Sequence, residues 1–142
     1  MKIVKDILEQ KGHQVWSIAP DATVYEALKV MGEREVGALT VVDGGSLVGI
    51  ISERDYARKV ILRGKTSRET RVREIMTAAV VTTSPDQTVE ECMATMTERR
   101  IRHLPVIERG RMVGMVSIGD LVKSIIAEQQ FMIEQLETYI TR

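Results

Sequence analysis

Two short segments of the chain carry the same potential ligand-binding residues at the same spacing. Residues 49–55 and 114–120 both read glycine, two apolar residues, serine, two variable residues and aspartate. Such a serine can cap the first turn of a helix, and an aspartate three residues later can complete a capping box. A helix start also presents free N–H groups to phosphate, while a carboxylate can accept hydrogen bonds from paired ribose hydroxyls. Two interpretations of Ser52–Asp55 and Ser117–Asp120 are therefore open: capping alone, or capping combined with nucleotide binding.

The glycine of each segment is the feature that capping leaves unexplained. Gly49 and Gly114 stand three residues before the serines, at the same place on a predicted strand. A strand residue without a side chain permits another group to approach the backbone closely. We therefore expect a ligand to lie beside each of these glycines.

Signatures of the common enzyme classes are missing from the sequence. The segment Gly64-Lys65-Thr66 ends like a phosphate-binding loop, but Lys59 stands where that loop requires a glycine. There is no nucleophile elbow, no dinucleotide-binding glycine pattern, and no cysteine and histidine cluster with metal-ligand spacing. We predict that the protein is not an enzyme and holds no metal or catalytic cofactor.

Both segments belong to a unit that occurs twice in the chain. A shift of 65 positions aligns residues 16–60 with residues 81–125 without a gap, and 15 of these 45 pairs are identical. A shorter lead-in also recurs, since residues 4–8 resemble residues 72–76. Self-similarity of this length indicates a duplicated structural unit.

Each repeat shows the same order of predicted elements. A helix begins after Thr23 and again after Thr88, because each threonine is followed three residues later by a glutamate. Two short β-branched runs joined by a turn follow, and a second helix starts at the serine of the junction. One such repeat alone would expose its apolar faces. We expect the repeats, residues 1–64 and residues 65–142, to pack together as one domain about a pseudo-twofold axis.

Composition limits the partners and the compartment. With 20 Lys and Arg against 20 Asp and Glu, the formal net charge is zero, which argues against general nucleic-acid binding. The basic segment 58–73 keeps salt-sensitive nucleic-acid binding open as an alternative. No run of 18 apolar residues is present, so we expect a cytoplasmic protein that does not enter a membrane. The single cysteine, Cys92, aligns with Ala27 of the first repeat and is expected in the core.

The C-terminal segment predicts a long helix with an unpaired apolar stripe. After Asp120, apolar residues continue at near-helical spacing as far as Ile140, further than in the first repeat. A terminal helix with such a stripe usually needs a partner surface. We therefore expect a homodimer.

These features resemble the CBS domain, the repeat named after cystathionine β-synthase, of which two copies form a Bateman module. The resemblance rests on the Pro-Asp-x-Thr-Val helix starts, the strand entry Ile101–Val106 and the Gly-to-Asp junctions. It covers about residues 4–126, and the lead-in Lys2–His13 is similar to that of small stand-alone members. The resemblance implies an α+β fold of two β-α-β-β-α repeats, extended here by the C-terminal helix.

The resemblance also implies two clefts between the repeats that bind adenosine compounds. In the family, each cleft takes ribose and phosphate contacts from one junction and base contacts from the strand entry of the other repeat. The first implied set is Ser52, Arg54, Asp55, Arg58, Val81, Ile101, Arg102 and His103. The second implied set is Ser117, Gly119, Asp120, Trp16, Val36, Gly37 and Ala38. Because the first set carries more positive charge, we expect a diphosphate or a longer phosphate chain to prefer it.

The function implied by the resemblance is regulatory. We expect a non-catalytic sensor in energy or redox signal transduction that binds AMP or NAD(H), ahead of ATP, ADP or S-adenosylmethionine. It would signal to a separate effector protein through a change in conformation or dimer arrangement. A function of another class also stays open: a structural, protein-interaction module that dimerises through its terminal helix and whose nucleotide clefts are vestigial.

Overall fold

The computed structural model of the protein describes residues 2–141 and divides into two compact units. The central unit is Val15–Val81, and the terminal unit combines the chain up to Gln14 with the chain from Thr82 onward. In chain order the elements are α1 (Val4–Lys11), β1 (Ser17–Ile18), α2 (Val24–Arg34), β2 (Ala38–Asp43), β3 (Ser46–Ser52), α3 (Glu53–Lys59), a 3₁₀ helix (Ile61–Arg63), α4 (Val72–Ile75), α5 (Val89–Arg99), β4 (His103–Glu108), β5 (Arg111–Ser117) and α6 (Ile118–Thr141).

The central unit is built on a three-stranded sheet in the order β1-β2-β3. β1 runs parallel to β2, and β2 pairs antiparallel with β3 across a tight turn. Gly44 and Gly45 form that turn with positive φ angles, which glycine adopts without steric cost. One apolar core joins the sheet to α2 and α4. Its buried members are Val24, Ala27, Met31, Leu39, Val41, Ile51, Val60, Val72 and Ile75.

The terminal unit repeats this plan on the antiparallel hairpin β4-β5. In the described part of this repeat, the place of β1 is taken by a single parallel bridge between Thr83 and Val106. Cys92 is buried in α5, and burial raises the pKa of its thiol, which confirms the predicted core position. α6 begins directly after β5, and its buried residues, Leu121 and Ser124, lie in its first two turns.

Local hydrogen bonds confirm the predicted helix starts. The Thr23 hydroxyl accepts from the Glu26 N–H at 3.1 Å, and the Thr88 hydroxyl accepts from the Glu91 N–H at 3.0 Å. Both interactions join residues three apart. They explain why the sequence pattern placed α2 and α5 correctly.

Each lead-in helix packs in the unit formed by the other repeat. In α1, the Val4 N–H donates to the Gln87 carbonyl at 2.9 Å. In α4, the Val72 N–H donates to the Ala22 carbonyl at the same distance. The boundary between residues 64 and 65 stays a prediction for the duplicated sequences, whereas the packed units exchange their lead-ins. The sequence pattern gives each lead-in an apolar face but does not state which surface buries it.

Candidate functional site

The junction of the central unit is a complete capping box. β3 ends at Ser52, whose hydroxyl accepts from the Asp55 N–H at 3.3 Å. In return, Oδ2 of Asp55 accepts from the Ser52 N–H at 2.9 Å. The other carboxylate oxygen, Oδ1, lies 3.1 Å from Nζ of Lys59, which also donates to the Ile75 carbonyl at 2.9 Å. One lysine thus ties the junction to the end of α4.

The junction of the terminal unit has the same capping box with a lysine from a different element. Oδ2 of Asp120 accepts from the Ser117 N–H at 2.8 Å, and the Asp120 N–H donates to the Ser117 hydroxyl at 3.2 Å. Nζ of Lys11, at the end of α1, lies 2.7 Å from Oδ2 and also donates to the Met115 carbonyl. Within residues 2–141, the hydrogen bonds to this carboxylate all end on Oδ2.

Both carboxylates are largely shielded from water. The Asp55 side chain is 16% exposed and that of Asp120 is 19% exposed. Burial would raise the pKa of Asp120, but the hydrogen bonds from Lys11 and Ser117 outweigh it, so the net pKa lies below the usual range. Asp120 is therefore a charged acceptor at neutral pH, next to an ammonium group that could contact a phosphate.

Lys59 and Lys11 do not occupy equivalent positions in the two repeats. Ser124 aligns with Lys59, and its buried hydroxyl has no hydrogen-bond partner among the described residues. Lys59 follows directly after Arg58 of the first implied set, within reach of a phosphate chain at that junction, whereas Lys11 belongs to neither implied set. Lys59 lies four residues after Asp55 on a helix, which is a known pairing distance, whereas no local pattern connects Lys11 with Asp120.

The expectation that a ligand lies beside the strand glycines is not supported by their surroundings. A Cβ atom on Gly49 would lie 2.6 Å from Sδ of Met76, and one on Gly114 would lie 2.6 Å from Cδ2 of Leu8. Each glycine thus makes room for a side chain of a lead-in segment. Close approach is the correct physical reason for the glycine, but the approaching group belongs to the protein.

The structure places each junction beside the strand entry of its own repeat. Ala38 pairs with Ser52, and the Glu53 N–H donates to the Gly37 carbonyl at 3.1 Å. In the terminal unit, His103 pairs with Ser117, and the Ile118 N–H donates to the Arg102 carbonyl at 2.9 Å. The two implied sets combine residues of different units, and that combination stays a prediction.

The remaining predicted residues differ in accessibility. Half-buried are Trp16, Val36, Arg54, Val81, Ile101 and His103, whereas Arg58, Arg102 and Gly119 are exposed. The guanidinium of Arg34 lies 4.0 Å from the centre of the Trp16 ring, so a cation already covers one face of the indole. Burial lowers the pKa of His103, and the charges of Lys11 and Arg102 add to this effect while Asp120 opposes it. A neutral His103 can donate one hydrogen bond and accept another.

Much of the basic segment 58–73 is engaged within the central unit. Arg71 donates to the Asp21 carbonyl at 2.9 Å, and Arg73 forms an ion pair with the Asp21 carboxylate. The Arg68 guanidinium lies 4.0 Å from the centre of the Tyr25 ring. These contacts give the segment a structural role.

Metal-binding clusters and membrane-spanning helices are both absent from the described part of the chain. Among residues 2–141, no three His, Cys, Asp or Glu side chains come together as a metal-binding group. None of the helices in this range is long and apolar enough to cross a bilayer.

Comparison with known proteins decides the family. The sequence profile of the CBS domain matches residues 4–62 and 72–127. The chain belongs to the CBS-domain family. This confirms the resemblance and the α+β fold of two CBS repeats with a long C-terminal helix.

Curated relatives and solved structures agree with this assignment. The chain is 42% identical over 147 residues to the CBS domain-containing protein CBSX3, mitochondrial, of Arabidopsis thaliana, covering 96% of this chain and 71% of that protein. It is similar in structure to a protein with CBS domains from Burkholderia ambifaria MC40-6 (TM-score 0.88, 51% identity, 90% and 96% of the chains). It also resembles the CBS domain pair of protein MJ0100, solved in complex with 5′-methylthioadenosine and S-adenosyl-L-methionine (TM-score 0.80, 29% identity, 90% and 98%).

Proposed function

We propose that this CBS pair is a non-catalytic regulatory module that binds an adenine nucleotide, AMP or NAD(H). The observation that carries the proposal is the bound adenosine chemistry of the similar CBS pair of MJ0100. In support, each repeat here keeps a shielded carboxylate at a helix start, where ribose hydroxyls and phosphate both find partners. An adjacent lysine, Lys59 or Lys11, adds a positive charge for phosphate.

The first implied set remains our preferred nucleotide site. Arg54 and Arg58 follow Ser52 on α3, and Lys59 adds a third cation on the same helix. The corresponding stretch of α6 carries Gly119 and Lys123 at the positions of Arg54 and Arg58, with the uncharged Ser124 in place of Lys59. Binding would change the balance between conformations or dimer arrangements, and a separate effector protein would respond to that change.

A second function is favoured by the contacts of the junctions. The carboxylates of Asp55 and Asp120 already accept hydrogen bonds from capped backbone N–H groups and contact lysines. The side chains of Met76 and Leu8 cover the strand glycines. Such junctions could serve packing alone, which would leave a structural module that acts through protein interaction.

A cytoplasmic location also stays a prediction, while the Arabidopsis relative carries the word mitochondrial in its name.

Thermal unfolding with a ligand panel separates the two functions. The panel contains AMP, ADP, ATP, NAD, NADH and S-adenosylmethionine, with GMP as the control for the base. A ligand at about a hundred times its Kd should add roughly 2.7 kcal/mol of stability, which raises the Tm by several degrees. No shift with any adenine compound at millimolar concentration would support the structural module instead.

The matched variants Asp55→Asn and Asp120→Asn test which junction binds. Each ligand-induced shift is compared with the ligand-free Tm of the same variant, because both aspartates also cap helices. We expect Asp55→Asn to remove most of the shift and Asp120→Asn to reduce it less. Equal losses would contradict the preference for the first set.

A further inference from the structure

The segment that follows Leu8 in the terminal unit docks without burying a side chain. Residues 9–14 are all exposed or half-buried, whereas Val4 and Leu8 are almost fully buried. The chain enters the central unit directly after this segment, at Val15. Segments with few buried apolar contacts open most readily. The end of α1 is therefore the part of this lead-in whose docking a change in local charge can shift.

Lys11 makes a charged contact between this segment and the terminal junction. Its Nζ lies 2.7 Å from Oδ2 of Asp120 and donates to the Met115 carbonyl at 3.0 Å. One ammonium group thus joins the end of α1 to β5 and to the carboxylate in the first turn of α6. An ammonium group carries three donors, one more than these two contacts use. The Lys11 side chain is 38% exposed, so a ligand can reach it from solvent.

The central junction takes its cation from a different place. There Lys59 lies on the same helix as the carboxylate that it contacts, Asp55. The lead-in α4 contributes a backbone acceptor, the Ile75 carbonyl, and residues 76–81 contain no lysine or arginine. A negative charge that arrives at the central junction therefore acts on a cation of α3, whereas at the terminal junction it acts on a cation of the lead-in itself.

We propose that Lys11 couples ligand binding at the terminal junction to the docking of residues 9–14. A nucleotide whose ribose hydroxyls donate to Asp120 brings a phosphate into the same junction, where the ammonium group gains a second anionic partner. The end of α1 is then held more tightly, and an effector protein that contacts it can distinguish the occupied from the empty state. This coupling rests on the proposed nucleotide binding, and by linkage Lys11 must raise the affinity for a ligand that carries phosphate.

Hydrogen exchange of the full chain without nucleotide, at short labelling times, tests the contact itself. Lys11→Met keeps the length of the side chain and removes its charge, so exchange in residues 9–14 should become about 3–10-fold faster. The matched control, Lys5→Met, removes the same charge from the same helix at a side chain that is 66% exposed and pairs with Glu9. It should change exchange in residues 9–14 by less than about twofold. Unchanged exchange in Lys11→Met would overturn the coupling.

AMP and adenosine, which lacks the phosphate, are then compared by calorimetric titration and hydrogen exchange. Both ligands are added to Asp55→Asn, because this variant leaves the terminal junction unaltered. We expect AMP, but not adenosine, to slow exchange in residues 9–14 by about threefold or more. Adding Lys11→Met should remove this protection and raise the Kd of AMP about 10-fold, while the Kd of adenosine changes by less than about threefold. A purely structural role of Lys11 would weaken both ligands equally.

These outcomes separate the coupling from the proposed function. Binding of AMP without protection of residues 9–14, or equal losses of AMP and adenosine affinity in Lys11→Met, would overturn the coupling alone. Failure of AMP to bind Asp55→Asn would also overturn it, and the ligand panel on the unaltered chain then decides the proposed function by itself. A chain that binds no adenine nucleotide overturns both.

Discussion

Two glycines, Gly49 and Gly114, lie under side chains of the lead-in segments. Sδ of Met76 and Cδ2 of Leu8 take up the space that a Cβ atom would need. Beside Gly49, the Thr77 carbonyl oxygen would also lie 3.1 Å from such an atom. Because this carbonyl pairs with the Ile50 N–H at 3.0 Å, the backbone cannot move away freely.

Gly49→Ala should therefore destabilise the protein by about 1–3 kcal/mol, the usual cost of overpacking. The matched control is Gly32→Ala in α2, where an added Cβ would meet no described atom within 4 Å. That change should stabilise the protein by about 0.5–1 kcal/mol, since alanine favours the helix interior. Urea unfolding measures both. A Gly49→Ala protein as stable as the unaltered one would show that the site tolerates a side chain.

At the scale of elements, α2 and α5 end in the same unusual way. The residue after each helix, Glu35 or Arg100, has a left-handed conformation with φ of 54° or 56°. The N–H of each donates back into the last turn, to the Met31 or the Met96 carbonyl. Glycine is the residue that adopts this conformation without steric cost. Both helices thus carry a side chain where glycine would fit better.

Arg100→Gly should accordingly raise the stability of the protein by about 1 kcal/mol. The neighbouring change Arg99→Gly falls on the last helical residue of α5 and should lower it by up to about 1 kcal/mol, because glycine loses more conformational freedom than arginine in a helical conformation. Both arginines are exposed, so the comparison isolates the backbone effect. Thermal unfolding reports the sign of each change. The same sign for both substitutions would contradict the explanation.

In the whole molecule, the exchanged lead-ins link distant parts of the chain into each unit. Leu8 is 1% exposed and packs on β5, and Ile75 is 2% exposed in the core of the central unit. Truncating either residue to alanine removes buried methyl groups and leaves a cavity. The unit that loses the contact should therefore open more often.

Hydrogen exchange measured by mass spectrometry can follow this opening segment by segment. In Leu8→Ala we expect faster exchange in residues 82–121 than in residues 15–81, although Leu8 precedes both in the sequence. In Ile75→Ala the order should reverse. Equal acceleration of both segments in both variants would contradict the assignment of the lead-ins to their units.

The sequence by itself determined the features that depend on neighbouring residues. The duplication, the starts of α2 and α5, the two hairpins and the capping boxes at Ser52 and Ser117 all follow from patterns within a few positions. Hydrogen bonds between residues three apart and alternating burial in short strands leave such patterns in any sequence. The CBS resemblance followed from the same local motifs.

Only the tertiary structure decided which surfaces meet. It placed Lys11 on Asp120, 109 positions away, and Leu8 over Gly114. It also gave the glycines a packing partner in place of the expected ligand. The sequence alone does not determine which surface an apolar stripe or a lysine will contact. The choice is made by the lowest free energy of the whole packed unit, because burial of apolar area depends on shape rather than on sequence distance.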